Sequence, residues 1–286
     1  MINESNQPGH FYSVIPYITN DYNDRTPKFM NIDFDENSHI NILNELPDYL
    51  TLFDDTFGIK DGTSVTSRAN SLKFSLANGG FEGMDARLLH YFIQKNKPKK
   101  IIEIGGGCST LLMHNTNIMF NLGIEIICIE PYPHNSLKKL HSNGSITLIE
   151  KKLENTDLEI FKSLDSNDIL FIDSSHVLKI NSDVMCYFTS IFPILKKGVF
   201  IHIHDIFFPF DYPLRWTKSG IFWNEQYFLY IFLQYNTKFK VKFCNSYSEF
   251  KYKEKLRILQ QNTYERVNNI YQDEFQGGSI WLLVNE

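Results

Sequence analysis

The pattern of hydrophobic and polar positions changes once along the chain. Through residues 1 to 80, short apolar pieces such as Phe11-Tyr12-Ser13-Val14-Ile15-Pro16 are interrupted by Asn, Asp, Pro and Gly, which reads as irregular chain. From Gly83 the pattern becomes periodic. Asp85 opens a helix with apolar positions at Ala86, Leu89, Phe92 and Ile93, closed by Lys97-Pro98. Ile101 to Ile104 reads as a buried strand broken by Gly105-Gly106-Gly107, after which Ser109-Thr110 caps a helix running to about Asn121. Further strands are expected at Glu125 to Ile129, Ile146 to Ile149, Ile169 to Ile172 and Val199 to Ile203, with helices at Ser136 to His141 and Ile180 to Leu195. An aromatic helix runs from Trp223 to Tyr235. Two last strands, Phe239 to Phe243 and Ser279 to Val284, bracket a charged segment, Ser246 to Gly277, expected to be helical in part. Strand and helix alternating at this spacing specify an α/β fold: a doubly wound, mostly parallel seven-stranded sheet with helices on both faces. Residues 1–80 are expected to form an irregular extension or lid, and residues 81–286 the main domain.

Composition narrows the partners. The 286 residues are 43% hydrophobic and 21% charged, an ordinary globular balance. The 28 basic residues against 33 acidic ones leave a net charge of −5, which argues against a nucleic-acid surface, where clustered Lys and Arg are needed. The strongest apolar run, Tyr227 to Leu233, is too short for a membrane span. The first residues lack both a positive n-region and an apolar h-region, so a cytoplasmic protein is expected. Cysteines 108, 128, 186 and 244 form no C-x-x-C pair and read as reduced thiols. With 24 Phe, 15 Tyr and 3 Trp, a pocket lined by rings is expected beyond the core.

In an open parallel sheet, ligands bind beyond the carboxyl ends of the strands. The residues there are Gly105-Gly106-Gly107, Glu130, Glu150, Asp173 with Ser174-Ser175-His176, and His202, His204 and Asp205. Charged groups at that edge cost stability unless they serve a ligand. The glycines admit close backbone approach, and the next helix offers free N–H groups. Glu130 lies 23 positions beyond Gly107 (130 − 107), where an acid can accept both hydroxyls of a ribose. A nucleoside-containing cofactor follows. The dinucleotide fingerprint wants a third glycine where Thr110 stands.

Glu103-Ile104-Gly105-Gly106-Gly107-Cys108-Ser109-Thr110 resembles motif I of the class I S-adenosylmethionine-dependent methyltransferases. Ile129-Glu130-Pro131 is similar to their acidic loop, Leu170-Phe171-Ile172-Asp173 to their fourth motif, and Ser279-Ile280-Trp281-Leu282 to their antiparallel seventh strand. More narrowly, Phe11-Tyr12-Ser13, Asn78 with Phe81 and Asp85, Asp173 with His176, and His202-Ile203-His204-Asp205 resemble a bacterial group near sugar and natural-product O-methyltransferases of the macrocin type. Where that group has proline after the aromatic pair, this chain has Val14. The resemblance, over about residues 75–284, implies that Gly105, Gly106 and Gly107, with Ser109 and Thr110, hold the amino-acid part of the cofactor, and that Glu103 orients their loop. It further implies that Glu130 binds the ribose, that adenine lies near residues 150–153, that Asp173 faces the methionyl end or the substrate, and that Tyr12 and Asn78 contribute to the cofactor site.

Methyl transfer to a hydroxyl needs alignment and a base. His204 is the expected base, with His176 and Asp205 as further catalytic candidates and His202 as a core residue. Asp173, His204 and Asp205 could instead hold a divalent ion (Mg, Mn or Fe) that lowers the acceptor's pKa, as in the catechol-type enzymes. The expected function is O-methylation of a small polar acceptor, such as a sugar or nucleotide-linked sugar. The alternatives are a nicotinamide-dependent oxidoreductase on a similar sheet and a non-catalytic cofactor-binding protein.

Overall fold

The computed structural model describes residues 7–58, 72–76, 78–256, 258–259 and 277–286. Seven strands, β1 (Lys100–Ile104), β2 (Glu125–Ile129), β3 (Thr147–Ile149), β4 (Ile169–Ile172), β5 (Phe200–His204), β6 (Phe239–Cys244) and β7 (Ser279–Val284), form one sheet in the order β3-β2-β1-β4-β5-β7-β6. The first five run parallel, and β7 lies antiparallel between β5 and β6. This is the expected doubly wound topology. Its switch point, where β1 meets β4, sets Ile104 beside Ile172.

Side chains alternate across the strands, so each strand feeds two cores. Ile101, Ile126, Ile169, Phe171 and Trp281 join one core; Ile102, Ile127, Leu170, Ile172, Ile201 and Ile203 join the other. The first core is covered by α1 (Glu36–Phe57), α2 (Gly83–Asn96), α3 (Cys108–Met119) and α4 (Asn135–Ser142). The second receives α5 (Asp183–Cys186) and α7 (Glu225–Gln234). The short helices α6 (Leu214–Lys218) and α8 (Asn245–Lys251) flank the carboxyl edge.

Three elements differ from expectation. Residues 1–80 are not irregular throughout: α1 spans 22 residues and buries Ile42, Leu43, Leu46, Leu50, Phe53 and Phe57 against α2 and β6. Pro47 and the polar residues between those positions hide the helical stripe. The helix expected from Ile180 to Leu195 is only one turn of α-helix at 183–186; a π-turn at Tyr187–Ile191 and a 3₁₀ turn at Phe192–Ile194 follow. Pro193 lacks the N–H that a continuing helix requires. β5 extends to His204, so this histidine is the last strand residue. Of the segment 246–277, α8 is helical, and residues 260–276 lie outside the described residues. The four cysteines are free, as expected, and among the described residues no helix is long and apolar enough to cross a membrane.

Two buried histidines tie the helices down in neutral form. His39 of α1 donates from Nδ1 to the Asp35 carbonyl at 3.2 Å and accepts the Cys244 amide at Nε2 at 2.9 Å, joining α1 to the end of β6. His90 of α2 meets the Thr116 hydroxyl of α3 at 2.9 Å. Burial depresses both to about 4. A folded-state pKa below the free value of about 6.5 stabilises the fold fully above that value, and the contribution is lost as pH falls through 4. For one such histidine this amounts to something on the order of 3 kcal/mol. Protonating His39 would also set a new donor against the Cys244 amide. The denaturant-unfolding free energy should therefore drop between pH 6.5 and 4, and His39→Gln, which retains an acceptor, should flatten that drop. An equal pH slope in the variant would refute the assignment.

Candidate active site

The loop after β1 is shaped by contacts that only glycine permits. Gly105 has φ +83°, and a Cβ there would lie 1.8 Å from the Asp173 carbonyl oxygen, so the β1 and β4 loops touch backbone to backbone. A Cβ on Gly106 would meet Cys128 Sγ at 2.2 Å, whereas one on Gly107 would meet nothing within 4 Å among the described residues. Gly107 thus faces open space at the start of α3, where unpaired N–H groups are offered.

Glu103 anchors this loop from behind. It is fully buried and accepts hydrogen bonds from Ser109 Oγ at 2.5 Å and from the Thr110 hydroxyl. Burial pushes its carboxyl up to about 7. The hydroxyls of Ser109 and Thr110 are therefore directed at Glu103. Ser109 still borders the cleft, and Thr110 lies behind it. Glu130 is half-buried at the rim, accepting from the Gly106 amide at 3.2 Å and the Tyr132 amide at 2.7 Å.

Two adjoining hollows share Gly105, Glu130 and Asp173. The larger, about 380 Å³, is bordered by Glu130, Tyr132, Lys152, Leu153 and Asp183, which includes part of the expected adenine stretch. The smaller, about 170 Å³, lies over the glycine loop beside Phe81 and His134. Asn78 serves them indirectly. Its side chain donates to the Ser75 and Phe81 carbonyls and accepts from the Gly80 and Phe81 amides, fixing the turn that brings Gly80 and Phe81 to the hollow. Tyr12 borders neither hollow: it is 75% exposed and rests against His10 and Phe11.

A third cavity of about 440 Å³ opens beyond β5. Asp85, His204, Asp205 and Phe207 line it from the sheet side, with Asp24, Arg25, Asp211 and Arg215 around it. The N-terminal segment is stitched to the loop after β5. The Lys28 and Phe29 amides donate to the Pro209 carbonyl, the Asp211 amide donates to the Asp24 carbonyl, and the Leu214 amide donates to Asp24 Oδ2 at 2.8 Å. Sequence reasoning assigns neither Asp24 nor Arg25 to the site.

Between the clefts lie the ionisable groups of β4 and β5. His202 is fully buried, stacks on Phe171 at 4.1 Å and has no hydrogen-bond partner among the described residues; burial, with His204 nearby, keeps its pKa well below 6.5. It is buried as expected for a core histidine, but the hydrogen bond expected for such a residue is replaced by ring stacking on Phe171. His204 lies on the same face, its Nε2 3.8 Å from Asp205 Oδ1. Burial lowers its pKa, but Asp205, Asp173 and Asp85 outweigh burial and raise it overall. For Asp173 burial acts upward, and His204 and His176 outweigh it, so the carboxyl lies below its ordinary value. Asp205 is pushed by burial up to about 6.

His176 begins no helix; it sits in the β4 loop at φ +58°, 4% exposed. Its Nε2 lies 3.4 Å from both Asp173 Oδ1 and Asp205 Oδ2, and its Nδ1 lies 2.7 Å from Glu225 Oε2. Against the opposing effect of burial, these carboxylates raise its pKa well above 6.5. Among the described residues, the metal-ligating atoms brought within 4.8 Å of one another are those of Asp173, His176 and Asp205. His176 takes the place expected for His204 in that set. Sequence reasoning misses Glu225 and Tyr187, which bonds it; their distance in sequence leaves no local signal.

Comparison with known proteins accords with this geometry. Residues 102–206 match the model of a family described as a methyltransferase domain. An uncharacterized protein of Archaeoglobus fulgidus is 32% identical over 177 residues, covering 57% of this chain and 75% of that protein. Among solved structures, the methyltransferase PaMTH1 of Podospora anserina, bound to SAH, aligns at 15% identity over 71% of this chain and 79% of its own, with a TM-score of 0.45. The O-methyltransferase TomG of Streptomyces achromogenes, in complex with SAM, aligns at 13% identity over 89% of this chain and 92% of its own, with a TM-score of 0.44. Residues 102–206 thus carry a methyltransferase domain, and the chain belongs to one family with the Archaeoglobus protein.

The glycines separate fold from binding. Gly105→Ala forces a side chain into left-handed backbone and into the Asp173 carbonyl, so it should destabilise the protein by more than the roughly 1–3 kcal/mol of such strain alone. Gly107→Ala meets open space and should leave the melting temperature unchanged while weakening S-adenosylhomocysteine binding in a titration. Unchanged affinity in Gly107→Ala would place the cofactor elsewhere.

Proposed function

We propose that this enzyme transfers the methyl group of S-adenosylmethionine to a hydroxyl of a small polar acceptor, such as a sugar or a nucleotide-linked sugar. One observation carries the reading. Asp173 borders both hollows, His204 and Asp205 line the 440 Å³ cavity, and Gly80 borders that cavity and the smaller hollow; the cavity is further bordered by charged and polar side chains such as Asp24, Arg25, Asp85 and Asp211. Residues 1–80 act as an extension whose segment around Asp24 walls the acceptor cavity, with the catalytic domain over residues 81–286. The four free thiols suit a reducing compartment, the cytoplasm.

S-adenosylmethionine, when bound, supplies a methyl on a sulfonium that needs no further activation. The open face of Gly107 and the first turn of α3 would receive its amino-acid end, Glu130 would accept the ribose hydroxyls, and Lys152 and Leu153 would border the adenine. Asp173, which borders both hollows, would orient the methionyl end. His204 takes the acceptor's proton at Nε2, beside the Asp205 carboxylate that favours the resulting imidazolium.

The convergence of Asp173, His176 and Asp205 supports a second reading. A carboxylate–imidazole–carboxylate set suits Mg, Mn or Fe, and such an ion would lower the acceptor's pKa.

Glu130→Ala should weaken S-adenosylmethionine binding by about 1.5–3 kcal/mol, the range of charge-assisted hydrogen bonds, and calorimetry reads it directly. His204→Ala should lower turnover about 10²–10⁴-fold with cofactor affinity intact. Wild-type turnover in that variant would remove His204 from the chemistry. A chelator that abolishes turnover, with recovery on adding Mn or Mg, would decide for the metal reading; indifference to the chelator would decide against it.

A further inference from the structure

We propose that Glu225 is a positioning residue for methyl transfer: it holds the Nδ1 proton of His176, so that Nε2 is aimed between the Asp173 and Asp205 carboxylates. The proposal rests on the methyltransferase reading above and names a residue outside every motif of the chain. Glu225 is fully buried at the first position of α7, yet one of its oxygens lies 2.7 Å from His176 Nδ1 and the other accepts from the Tyr187 hydroxyl. A buried carboxylate is retained at such cost only where its partners are fixed.

The surroundings leave the ring little freedom. The Asn224 and Glu225 amides both donate to the His176 carbonyl, at 3.1 and 3.2 Å. Asn224 Oδ1 accepts from the Leu178 amide at 2.7 Å, and the Trp223 ring lies 4.2 Å from the imidazole. The neighbouring Gln226 reaches the other loop, its Oε1 accepting from the Phe207 amide at 3.0 Å. The first turn of α7 therefore clamps the β4 loop and the β5 loop together, and Glu225 fixes the ring orientation that sets Nε2, rather than Cε1, against Asp173 and Asp205. A ring turned over about Cβ–Cγ would put Cδ2 where Nδ1 lies and Cε1 where Nε2 lies, and so withdraw a polar atom from that edge. Outer carboxylates that orient a metal-ligating histidine typically contribute about 10–100-fold in activity, and a loss of that order is expected here.

The test combines a spectroscopic and a kinetic readout. In the wild type, ¹⁵N-resolved imidazole spectra should show His176 Nδ1 protonated and hydrogen-bonded, a result that needs neither turnover nor a variant. Glu225→Leu should lose that signature and about 10–100-fold in kcat, with the affinity for S-adenosylhomocysteine unchanged. Glu225→Gln, which leaves an acceptor oxygen at Nδ1, should restore the signature and most of the rate. An unprotonated Nδ1 in the wild type, or a folded Glu225→Leu protein with wild-type kcat, would overturn the proposal. Should Glu225→Leu fail to fold, the wild-type spectrum and the Gln variant decide. A wild type that binds no S-adenosylhomocysteine would instead overturn the methyltransferase reading, while the state of His176 Nδ1 would still decide whether Glu225 holds the ring.

Discussion

Three carboxylates, Asp173, Asp205 and Glu225, converge on the imidazole of His176, and the carboxyl edge of the sheet depends on how that charge is balanced. Like charges this close cannot all stay ionised without a cation among them. The structure supplies one imidazole at the centre and a second, His204, on the neighbouring strand end. The consequences run in opposite directions. Asp173, with both histidines facing it, is held below its usual range, whereas Asp205 is lifted by burial to about 6. The edge thus sets a carboxylate whose pKa is lowered beside one whose pKa is raised to about 6.

The backbone bends to make this cluster. His176 and Asp205 are both non-glycine residues in left-handed conformation, at φ +58° and +56°. Such conformations cost of order 1 kcal/mol or more and persist only where the surroundings over-determine them. Here the β4 loop is pressed against Gly105 on one side and tied to Asn224 and Glu225 on the other, and the residue after Asp205, Ile206, donates its amide to Gly278 beside β7. Strain in two loops is thereby borne by the sheet and by the first turn of α7, which are rigid.

What can be read from the chain follows from how local each feature is. The glycine run, Glu130 and Asp173 each stand one residue beyond an apolar strand, so their places follow from strand boundaries alone, and the seven strands emerge for the same reason. α1 escapes notice because Pro47 and scattered polar residues mask a stripe whose burial comes from α2 and β6, far along the chain. His176 reads locally as a helix start; only the fold brings Glu225, 49 residues later, to its Nδ1. Glu225 itself reads as an acid suited to the positive end of a helix dipole, an ordinary role that hides the other. The half of the site proposed for the cofactor is local in sequence, and the half proposed for proton transfer is not.

The cavity beyond β5 carries this division further. Its floor, His204 and Asp205, comes from the end of β5, but its far wall comes from a segment near Asp24 that is bound to the β5 loop through backbone hydrogen bonds and through the side chains of Asp24, Tyr22 and Lys28. Backbone hydrogen bonds such as Lys28 and Phe29 to the Pro209 carbonyl are indifferent to side-chain identity. Asp211, by contrast, gathers Tyr22, Lys28 and Tyr227 through their side chains, locking the segment's approach at one point. Arg25, between these fastenings, adds an ion pair to Glu249 at 3.7 Å and lies over the Phe210 ring. On the proposed function, a scaffold of this kind would keep the methyl donor and the base fixed while the shape and charge presented to the acceptor change, which would put acceptor selectivity in the N-terminal segment and the β5 loop rather than in the sheet.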